Sequence, residues 1–438
     1  MASPRTRKDR IIEVLEGAFA DLMEADPQAF RVKYRKMAAD PFAFYRGTAC
    51  LFYADVTRSK DPWADERTSR IWIHGDLHAE NFGTYLNSDG RLVFDVNDFD
   101  EAHIGHFSWD LRRFAASLAL MGWQKALPEG EVRDLIARYV RAYLSQVNHY
   151  VGSSDDHDFG IFLDNTEGPV LAVLQEARGL SRRDFLDEVT RVEHSSRVFR
   201  DGPGVRRLGK AEHGRVLRAF KDYLATIPES KRFDRELFYD VRDLVGRSGF
   251  GIGSAGLPAY NVLVEGYSQA LDNDVVLSMK QANVPAVSRF VGTEDVERYF
   301  EHEGHRTAVS QRALQVHTDP LLGHTTLDGV GYVVAEVSPY ELDLDWGDLN
   351  EPDDIRGVVD TLGRATAKVH CASDEDSDQD LVDFQVEEAI AEVLEGRRKE
   401  FTAEIVEFGL TYAARVRRDH ALFVSAFREG EIGGVSAT

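Results

Sequence analysis

The sequence predicts an α+β protein built in two lobes. The chain has 438 residues, of which 43% are hydrophobic, so it can bury a large core. Several long segments carry apolar residues at helical spacing, and several short apolar runs bounded by turn residues are typical of strands. At this length two cores are expected rather than one. A mixed, two-lobe architecture is therefore the first expectation.

The composition and charge of the chain limit the kinds of partner that it can bind. A net charge of −23 argues against a surface for nucleic acid or for an anionic membrane. No apolar run reaches the roughly 18 residues of a membrane span, and the first ten residues are not followed by an apolar signal segment. Two cysteines, Cys50 and Cys371, are too few for a disulfide framework. These features predict a cytoplasmic protein that binds neither nucleic acid nor membrane.

The N-terminal part is predicted to be helical and aromatic. Residues 8–24 carry apolar side chains at helical spacing, and segment 36–47 (KMAADPFAFYRG) places three aromatic residues before Arg46. A guanidinium beside aromatic rings usually pairs with a carboxylate or a phosphate. Arg46 is therefore predicted either to contact phosphate or substrate, or to form a structural salt bridge.

The most informative stretch follows at residues 73–101. Strand-like pieces at 70–73 and 92–94 flank a polar loop that contains His74, Asp76 and Asn81 in the pattern H-x-D-L-x-x-x-N. In phosphoryl transfer an Asp orients the attacking hydroxyl and accepts its proton, and an Asn five residues later holds Mg²⁺. We therefore expect Asp76, with His74, to be catalytic and Asn81 to bind the metal.

An acidic cluster follows the second strand. Asp95, Asp98, Asp100 and Glu101 lie within seven residues, and the mutual repulsion of so many carboxylates is hard to explain without a cation. Magnesium prefers anionic oxygen ligands together with substrate phosphates. Asp98 is thus predicted to be the second metal ligand, and Asp95 is a further candidate.

A helix is predicted from Trp109 to about Gly122. Asp110 lies in its first turn, where a carboxylate can hold a neighbouring loop by its backbone N–H groups. Asp110 is therefore expected to support the 74–81 loop rather than to catalyse. Further helices are predicted at 131–150, 179–195 and 211–245.

A glycine-rich segment forms the second candidate site. Its sequence contains G-x-G-x-x-G, with strand-like residues 260–264 and 275–279 after it and Lys280 at the end of the second strand. Backbone N–H groups of such a turn can close on phosphates, and a lysine on the next strand can reach the same phosphates. The expected phosphate-binding positions are Gly251, Gly253, Ser254 and Gly256. A dinucleotide-binding loop would instead lie between a strand and a helix.

The rest of the chain is predicted to contain a helix at 296–318, a strand at 331–337, and helices at 353–370 and 384–428. The acidic segment 372–396 is predicted to be a solvated linker followed by an acidic helix face. The predicted domains are 1–72, a helical lobe at 73–239, a β-rich nucleotide lobe at 240–337 and C-terminal helices at 338–438.

The motifs HGDLHAEN, FDVNDFDEA and WDLRR resemble the catalytic core of aminoglycoside-phosphotransferase-like and other protein-kinase-like enzymes. The motifs KMAADPFAFYRG, GDLHAENFG, VFDVNDFDEA, GIGSAG and LSMKQA together resemble more closely a widespread bacterial family of unknown function that has been grouped with kinase-like proteins. The resemblance implies a kinase-like two-lobe fold that binds ATP and Mg²⁺. By it, Asp76 would be the base, Asn81 and Asp98 the metal ligands, and Lys280 the ligand of the α- and β-phosphates.

The order of these motifs departs from that of kinases. A kinase places the Gly-rich loop and the lysine before the catalytic loop, whereas here the catalytic loop comes first. The resemblance therefore implies a circular permutation in which the C-terminal helices complete the helical lobe. A kinase lysine also pairs with a helix glutamate, and Glu301 or Glu303 is the expected partner of Lys280.

The predicted function is ATP- and Mg²⁺-dependent phosphoryl transfer to a hydroxyl group of a small molecule. One alternative is a kinase-like module that binds nucleotide without transfer, and another is transfer of AMP. A metallophosphoesterase is a third class, but no D-x-H precedes His74 to supply further ligands.

Overall fold

The computed structural model describes residues 6–153, 155–233, 236–248, 256–292, 294–377 and 380–438. These residues form an α+β protein. Its helices are α1 (Arg7–Ala25), α2 (Pro27–Met37), α3 (Pro41–Arg46), α4 (Ala49–Val56), α5 (Phe107–Gln124), α6 (Glu129–Tyr150), α7 (Gly168–Gly179), α8 (Arg182–Val189), α9 (Lys210–Tyr223), α10 (Glu294–Tyr299), α11 (Glu303–Leu314), α12 (Pro352–Cys371), α13 (Val386–Val393) and α14 (Arg398–Glu429).

The strands form one large sheet and three small ones. They are β1 (Ile71–Ile73), β2 (Phe82–Leu86), β3 (Leu92–Val96), β4 (His103–Gly105), β5 (Thr190–Glu193), β6 (Ser196–Phe199), β7 (Val205–Arg207), β8 (Val241–Arg247), β9 (Ala259–Val264), β10 (Val275–Gln281), β11 (Gly323–Leu327) and β12 (Val330–Glu336). The large sheet has the order β11-β12-β10-β9-β8-β7, and its paired strands are antiparallel. The small sheets are β1-β4, β2-β3 and β5-β6.

Local sequence explains several element ends. Thr6 and Asp9 form a reciprocal capping box at the start of α1. Asp40 accepts from two backbone N–H groups at the start of α3, whose first residue is Pro41. The longest helix, α14, ends at Gly430, which adopts the left-handed conformation that favours glycine.

Helices cover the large sheet, and a separate core lies behind the polar loop. Val216, Phe220 and Tyr223 of α9 pack on one face of the sheet, and Leu186 of α8 belongs to a smaller cluster with Val245 and Leu263. The largest core joins the N-terminal helices, β1–β4, α5, α6, α12 and α14. The candidate site therefore lies between a sheet-centred unit and a helix-centred unit. No helix in the described part of the chain has both the length and the apolar content that a bilayer crossing requires.

The predicted helices 8–24 and 353–370 and the strands 260–264, 275–279 and 331–337 are confirmed within one or two residues. Four helix predictions are wrong in part. The predicted helix 296–318 is divided into α10 and α11 and ends at Leu314, and the predicted helix 384–428 is divided into α13 and α14. The predicted helix 179–195 ends at Val189 and continues as the β5-β6 hairpin, and the predicted helix 211–245 ends at Tyr223. Residues 241–245 belong to β8, because pairing with β9 and burial of Leu244 and Val245 override their helical spacing.

Candidate active site

Asp110 holds the backbone of the loop between β1 and β2. This fully buried carboxylate accepts hydrogen bonds from the backbone N–H groups of His74 (2.7 Å) and Gly75 (3.0 Å). His370 of α12 donates to it from Nε2 at 3.3 Å, and the Tyr143 hydroxyl donates to Nδ1 of His370 at 2.9 Å. The first turn of α5 therefore fixes the start of the loop, and α12 and α6 fix Asp110.

Gly75 is required by the packing of this loop. It has a φ of +79°, and a Cβ built on it would lie 2.1 Å from the carbonyl oxygen of Glu101. A side chain here would be strained by conformation and by a backbone clash. The loop and the acidic segment after β3 are thus in backbone contact, which places Asp76 close to the acidic cluster.

Asp76 is oriented by an arginine that the sequence analysis did not single out. The fully buried Arg113 of α5 donates from Nε to Oδ1 of Asp76 at 2.5 Å. The Asn81 amide Nδ2 donates to the Asp76 backbone carbonyl at 2.9 Å. Burial raises the pKa of Asp76, while Arg113 opposes that rise. The signal for Arg113 was its position three residues after Asp110 on the buried face of α5.

The hairpin of β2 and β3 carries the acidic segment to the same place. The Asn97 N–H donates to the Asn81 carbonyl at 3.2 Å, and His74 donates from Nε2 to the Asn97 carbonyl at 2.8 Å. Asp98 follows with a φ of +59°, a conformation that is uncommon outside glycine and for which Asp is enriched. His74 therefore positions the segment before Asp98 and does not face solvent, since it is fully buried.

Asp98 and Lys280 line one cavity of about 370 Å³ between the hairpin and the large sheet, which we call the cleft. Asp100 and Glu341 also line it. Burial lowers the pKa of Lys280, but the surrounding carboxylates of Asp100, Asp98 and Glu341 raise it by more, and the net direction is upward. Two segments far apart in the chain thus present an amine and a group of carboxylates to the same space.

The carboxylates of Asp100, Asp98 and Glu341 act electrostatically on Lys280. Glu303, one of the two predicted partners of Lys280, accepts from Arg306 Nε at 2.6 Å. Arg306 also donates to the carbonyls of Asp100 (2.8 Å) and Ala102 (2.6 Å). Helix α11 therefore contacts the acidic segment through a buried arginine, and the carboxylates near Lys280 come from that segment and from Glu341.

Asp95 does not face the cleft. Its Oδ2 accepts from Lys368 Nζ at 2.5 Å and its Oδ1 accepts from the Val96 N–H at 2.8 Å. Both Asp95 and Lys368 are buried, and Lys368 also donates to the Leu314 carbonyl. In place of the expected metal contact, Asp95 therefore forms an ion pair between the hairpin and α12.

A second, smaller cavity of about 40 Å³ adjoins Asp76 on the side of the N-terminal helices, and we call it the inner compartment. Asp98, Asp100 and Glu101 line it together with basic residues. Those basic residues are Lys33, Arg46 and Arg289. Arg46 forms a salt bridge with Glu80, so it has the structural partner that was one of its two predicted roles, and it still lines the compartment.

The predicted phosphate-binding turn lies mostly outside the described residues, because Gly251, Gly253 and Ser254 are not among them. Gly256 is described, has a φ of +81°, and approaches Phe30 and Asp26 of the N-terminal region. Gly256, the last glycine of the motif, therefore lies near α2, whose Lys33 lines the inner compartment.

The fold and the site define an α+β protein with a cleft that presents a lysine opposite clustered carboxylates. The model of the bacterial family described as "Uncharacterized protein conserved in bacteria (DUF2252)" matches residues 25–426, and the chain belongs to that family. No curated protein and no solved structure matches the chain.

Proposed function

We propose that this protein is an ATP- and Mg²⁺-dependent phosphotransferase with a circularly permuted kinase-like fold, which acts on a hydroxyl group of a small molecule. The observation that carries the proposal is the cleft itself. Asp98 and Lys280 come from remote parts of the chain, yet they line one cavity. A nucleotide triphosphate with its metal is the ligand that would use a lysine and facing carboxylates together.

The topology of the large sheet supports the proposal. Consecutive antiparallel strands β8, β9 and β10 are followed by α11 and then by β11 and β12, with β12 returning to pair with β10. Lys280 lies on the third of these strands, and the Gly-rich sequence motif precedes it in the chain. Helices α10 and α11 follow it. Protein kinases place the phosphate-binding lysine on a third strand, with a helix after it.

The roles of the site residues follow from their contacts. Arg113 holds Oδ1 of Asp76 and leaves Oδ2 for the hydroxyl that attacks the γ-phosphate. Asn81 turns its Nδ2 to the Asp76 carbonyl, so its amide oxygen, with Asp98, would hold the metal. Bound Mg²⁺ would neutralise charge on the β- and γ-phosphates. Lys280 would bind the α- and β-phosphates from the opposite wall.

The inner compartment is the proposed acceptor site. Asp76 lines it from one side, and Asp98 and Asp100 line both it and the cleft. A hydroxyl held there would therefore face Asp76 while the γ-phosphate approaches from the cleft. The volume of about 40 Å³ is far below that of a full ligand pocket, so the compartment would take only the hydroxyl end of a small acceptor. Lys33 is buried with its ammonium over the Phe19 ring at 4.1 Å, and burial lowers its pKa to about 8.

A second function, nucleotide binding without transfer, is favoured by one specific contact. The Arg113 guanidinium is paired with Asp76, and a paired carboxylate is a weaker base. In that case the cleft would still bind Mg²⁺ and ATP, and Asp76 would contribute only to structure.

Thermal-shift measurements on the full-length protein test binding. We expect ATP with Mg²⁺ to stabilise the wild type by about 2.7 kcal/mol at a hundredfold excess over Kd. Lys280→Ala and Asp98→Ala should both lose this gain. Lys221→Ala and Asp222→Ala, at exposed positions of α9, are matched controls and should keep it. A wild type that is not stabilised by Mg²⁺-ATP would overturn the proposal.

Labelled ATP then separates the remaining possibilities. With a mixture of small metabolites, label from the γ-position should enter a small product, and Asp76→Asn should reduce that transfer by about a thousandfold. Label from the α-position in the product would indicate AMP transfer instead. Stabilisation by ATP without transfer of either label would favour the binding module.

A further inference from the structure

A second acidic cluster lies where the loop after α6 meets the segment after α12. Three carboxylates and one imidazole, each offering one ligand atom, lie within 4.8 Å of one another. They belong to Asp156, His157, Asp374 and Asp376. Glu387, in the first turn of α13, is a close neighbour that acts electrostatically on Asp374. The acidic segment 372–396 was predicted to be solvated, but Asp374 and Glu387 are 0% and 5% exposed.

The buried oxygens of this cluster lack the hydrogen bonds that burial normally requires. When the carboxyl groups are ionised, Oδ2 of Asp156, Oδ1 of Asp374 and Oε2 of Glu387 accept no hydrogen bond within the described ranges. Asp156 is 4% exposed, so it is nearly sealed from solvent. A buried carboxylate oxygen without a partner is costly, and three in one place are not expected in a stable fold unless something binds them.

The charges of the cluster are also unbalanced. Asp156, Asp374, Asp376 and Glu387 supply four negative charges, and the ion pairs that the described residues make with them come from His157. Either protons or a cation must therefore compensate the group.

His157 has one ring nitrogen held by a backbone carbonyl and the other directed at the cluster. Its Nδ1 donates to the Ala372 carbonyl at 3.0 Å, which leaves Nε2 as the nitrogen with a lone pair when the ring is neutral. A metal-binding histidine typically donates its other ring N–H to a carbonyl or carboxylate in this way. Nε2 lies 2.7 Å from Oδ1 of Asp376, which is a hydrogen bond to the carboxylate when the ring is protonated. A metal ion at this position would displace the proton from Nε2, and Nε2 and Asp376 would then both be its ligands.

The spacing of the ligand atoms fits a single ion. Two ligands bound at about 2.1 Å and at right angles are about 3 Å apart, and two on opposite sides are about 4–5 Å apart. The separation of 2.7 Å between Nε2 of His157 and Oδ1 of Asp376 is near the smaller value, and all four ligand atoms lie within 4.8 Å of one another. Carboxylate oxygens combined with an imidazole nitrogen suit a divalent transition metal such as Mn²⁺ or Zn²⁺ better than Ca²⁺, which prefers oxygen alone.

We propose that Asp156, His157, Asp374 and Asp376 form a structural site for a divalent transition-metal ion, separate from the cleft. The site would fasten the segment 155–161 to the end of α12. That segment reaches the hairpin, because the Phe94 N–H donates to the Ile161 carbonyl at 2.9 Å. The same end of α12 carries His370, which supports Asp110. The ion would therefore stabilise two contacts that lie behind the candidate active site.

Mn²⁺ is the first probe, because free Mn²⁺ has an electron paramagnetic resonance signal that binding broadens. With chelator-treated, full-length protein and no nucleotide, we expect one Mn²⁺ per chain and a higher melting temperature. Asp376→Asn and Asp374→Asn should each weaken binding at least tenfold. Zn²⁺ should compete for the site, and Ca²⁺ should compete poorly.

Two variants make the result specific. Glu375→Gln changes an exposed neighbour outside the cluster and should bind Mn²⁺ as the wild type does. Asp98→Ala removes the metal ligand proposed for the cleft and should also retain this nucleotide-independent ion, which separates the two proposals. Asp376 is half exposed, so Asp376→Asn provides a folded variant even if Asp374→Asn, which loses charge at the Val386 N–H, does not fold.

The site is excluded if the wild type fails to bind Mn²⁺ or Zn²⁺, or if Asp376→Asn and Asp374→Asn bind them unchanged. A melting temperature that rises on acidification and is indifferent to metal would show that protons compensate the cluster, and would equally overturn the proposal.

Discussion

Asp95 and Asp98 are three residues apart, at and just after the end of the β2-β3 hairpin, and their surroundings differ. On the rear side, Asp95 is buried and bound to Lys368 at 2.5 Å. On the other side, Asp98 is exposed, has a φ of +59°, and lines the cleft opposite Lys280. Each aspartate thus faces a lysine from a distant part of the chain. One pair closes the core and the other borders open space, so only the second can exchange its partner for a ligand.

The largest expected effect concerns the rear side. Lys368→Met leaves Asp95 as a buried charge without its cation and should lower the free energy of unfolding by about 3–5 kcal/mol. Chemical denaturation at neutral pH measures this loss. Lys280→Met is the matched variant in the cleft. It should lower the free energy of unfolding by far less, because the carboxylates of the cleft remain in contact with solvent.

Restoring the balance of charge sharpens the test. The double variant Asp95→Leu with Lys368→Met removes both charges and should regain much of the stability lost in Lys368→Met. Equal losses in Lys368→Met and Lys280→Met would show that the two sides do not differ as described.

The next effect separates stability from ligand binding. Asp98→Asn removes a charge from a repulsive group and should leave the stability of the ligand-free protein within about 0.5 kcal/mol of the wild type. It should nevertheless lose the Mg²⁺-ATP stabilisation of about 2.7 kcal/mol at a hundredfold excess over Kd. Differential scanning fluorimetry with and without nucleotide measures both quantities. Strong destabilisation of the ligand-free protein by Asp98→Asn would instead show that Asp98 supports the fold.

A smaller loss of stability is expected from a change at Asp110, which holds the loop between β1 and β2. Asp110→Asn replaces one acceptor oxygen by an amide that cannot accept from the His74 or Gly75 N–H, and should cost about 1–3 kcal/mol. Hydrogen exchange at the amides of residues 74 and 75 should accelerate with it. Asp134→Asn, at an exposed position of α6, provides the control. Unchanged exchange at residues 74 and 75 would contradict the supporting role of Asp110.

The features that could be predicted from the sequence are those whose residue pattern lies within one short stretch of the chain. The pattern around Asp76 and Asn81, the strand that carries Lys280 and the helix at 353–370 all depend on residues close together in the chain. The partners Lys368 for Asp95 and Arg113 for Asp76 depend on tertiary packing, which spacing does not encode. The same limit explains the 179–195 segment, where hairpin pairing with Phe199 overrides helical periodicity. It also explains Asp374, whose acidic surroundings suggested exposure.

The smallest expected effect is a dependence on pH at Glu101, which borders the inner compartment. Burial raises the pKa of Glu101 from 4.5 to about 7, although the Ala286 N–H donates to its Oε2 at 2.5 Å. The folded protein then holds a proton that the unfolded chain has released. The contribution of Glu101 to stability is therefore fully present below about pH 4.5 and is lost as the pH rises to about 7, by at most about 1.4 kcal/mol per pH unit.

Glu101→Gln removes this titration while retaining an oxygen that can accept from Ala286. The stability of the wild type, measured relative to this variant by denaturation across pH 5 to 8, should fall as the pH rises and then level off. Glu395→Gln, at an exposed position between α13 and α14, should show no such trend relative to the wild type. A flat difference for Glu101→Gln would mean that Glu101 is ionised throughout. It would then add its negative charge to the carboxylates of Asp76, Asp98 and Asp100 that line the inner compartment, which would favour a cationic acceptor over a neutral one.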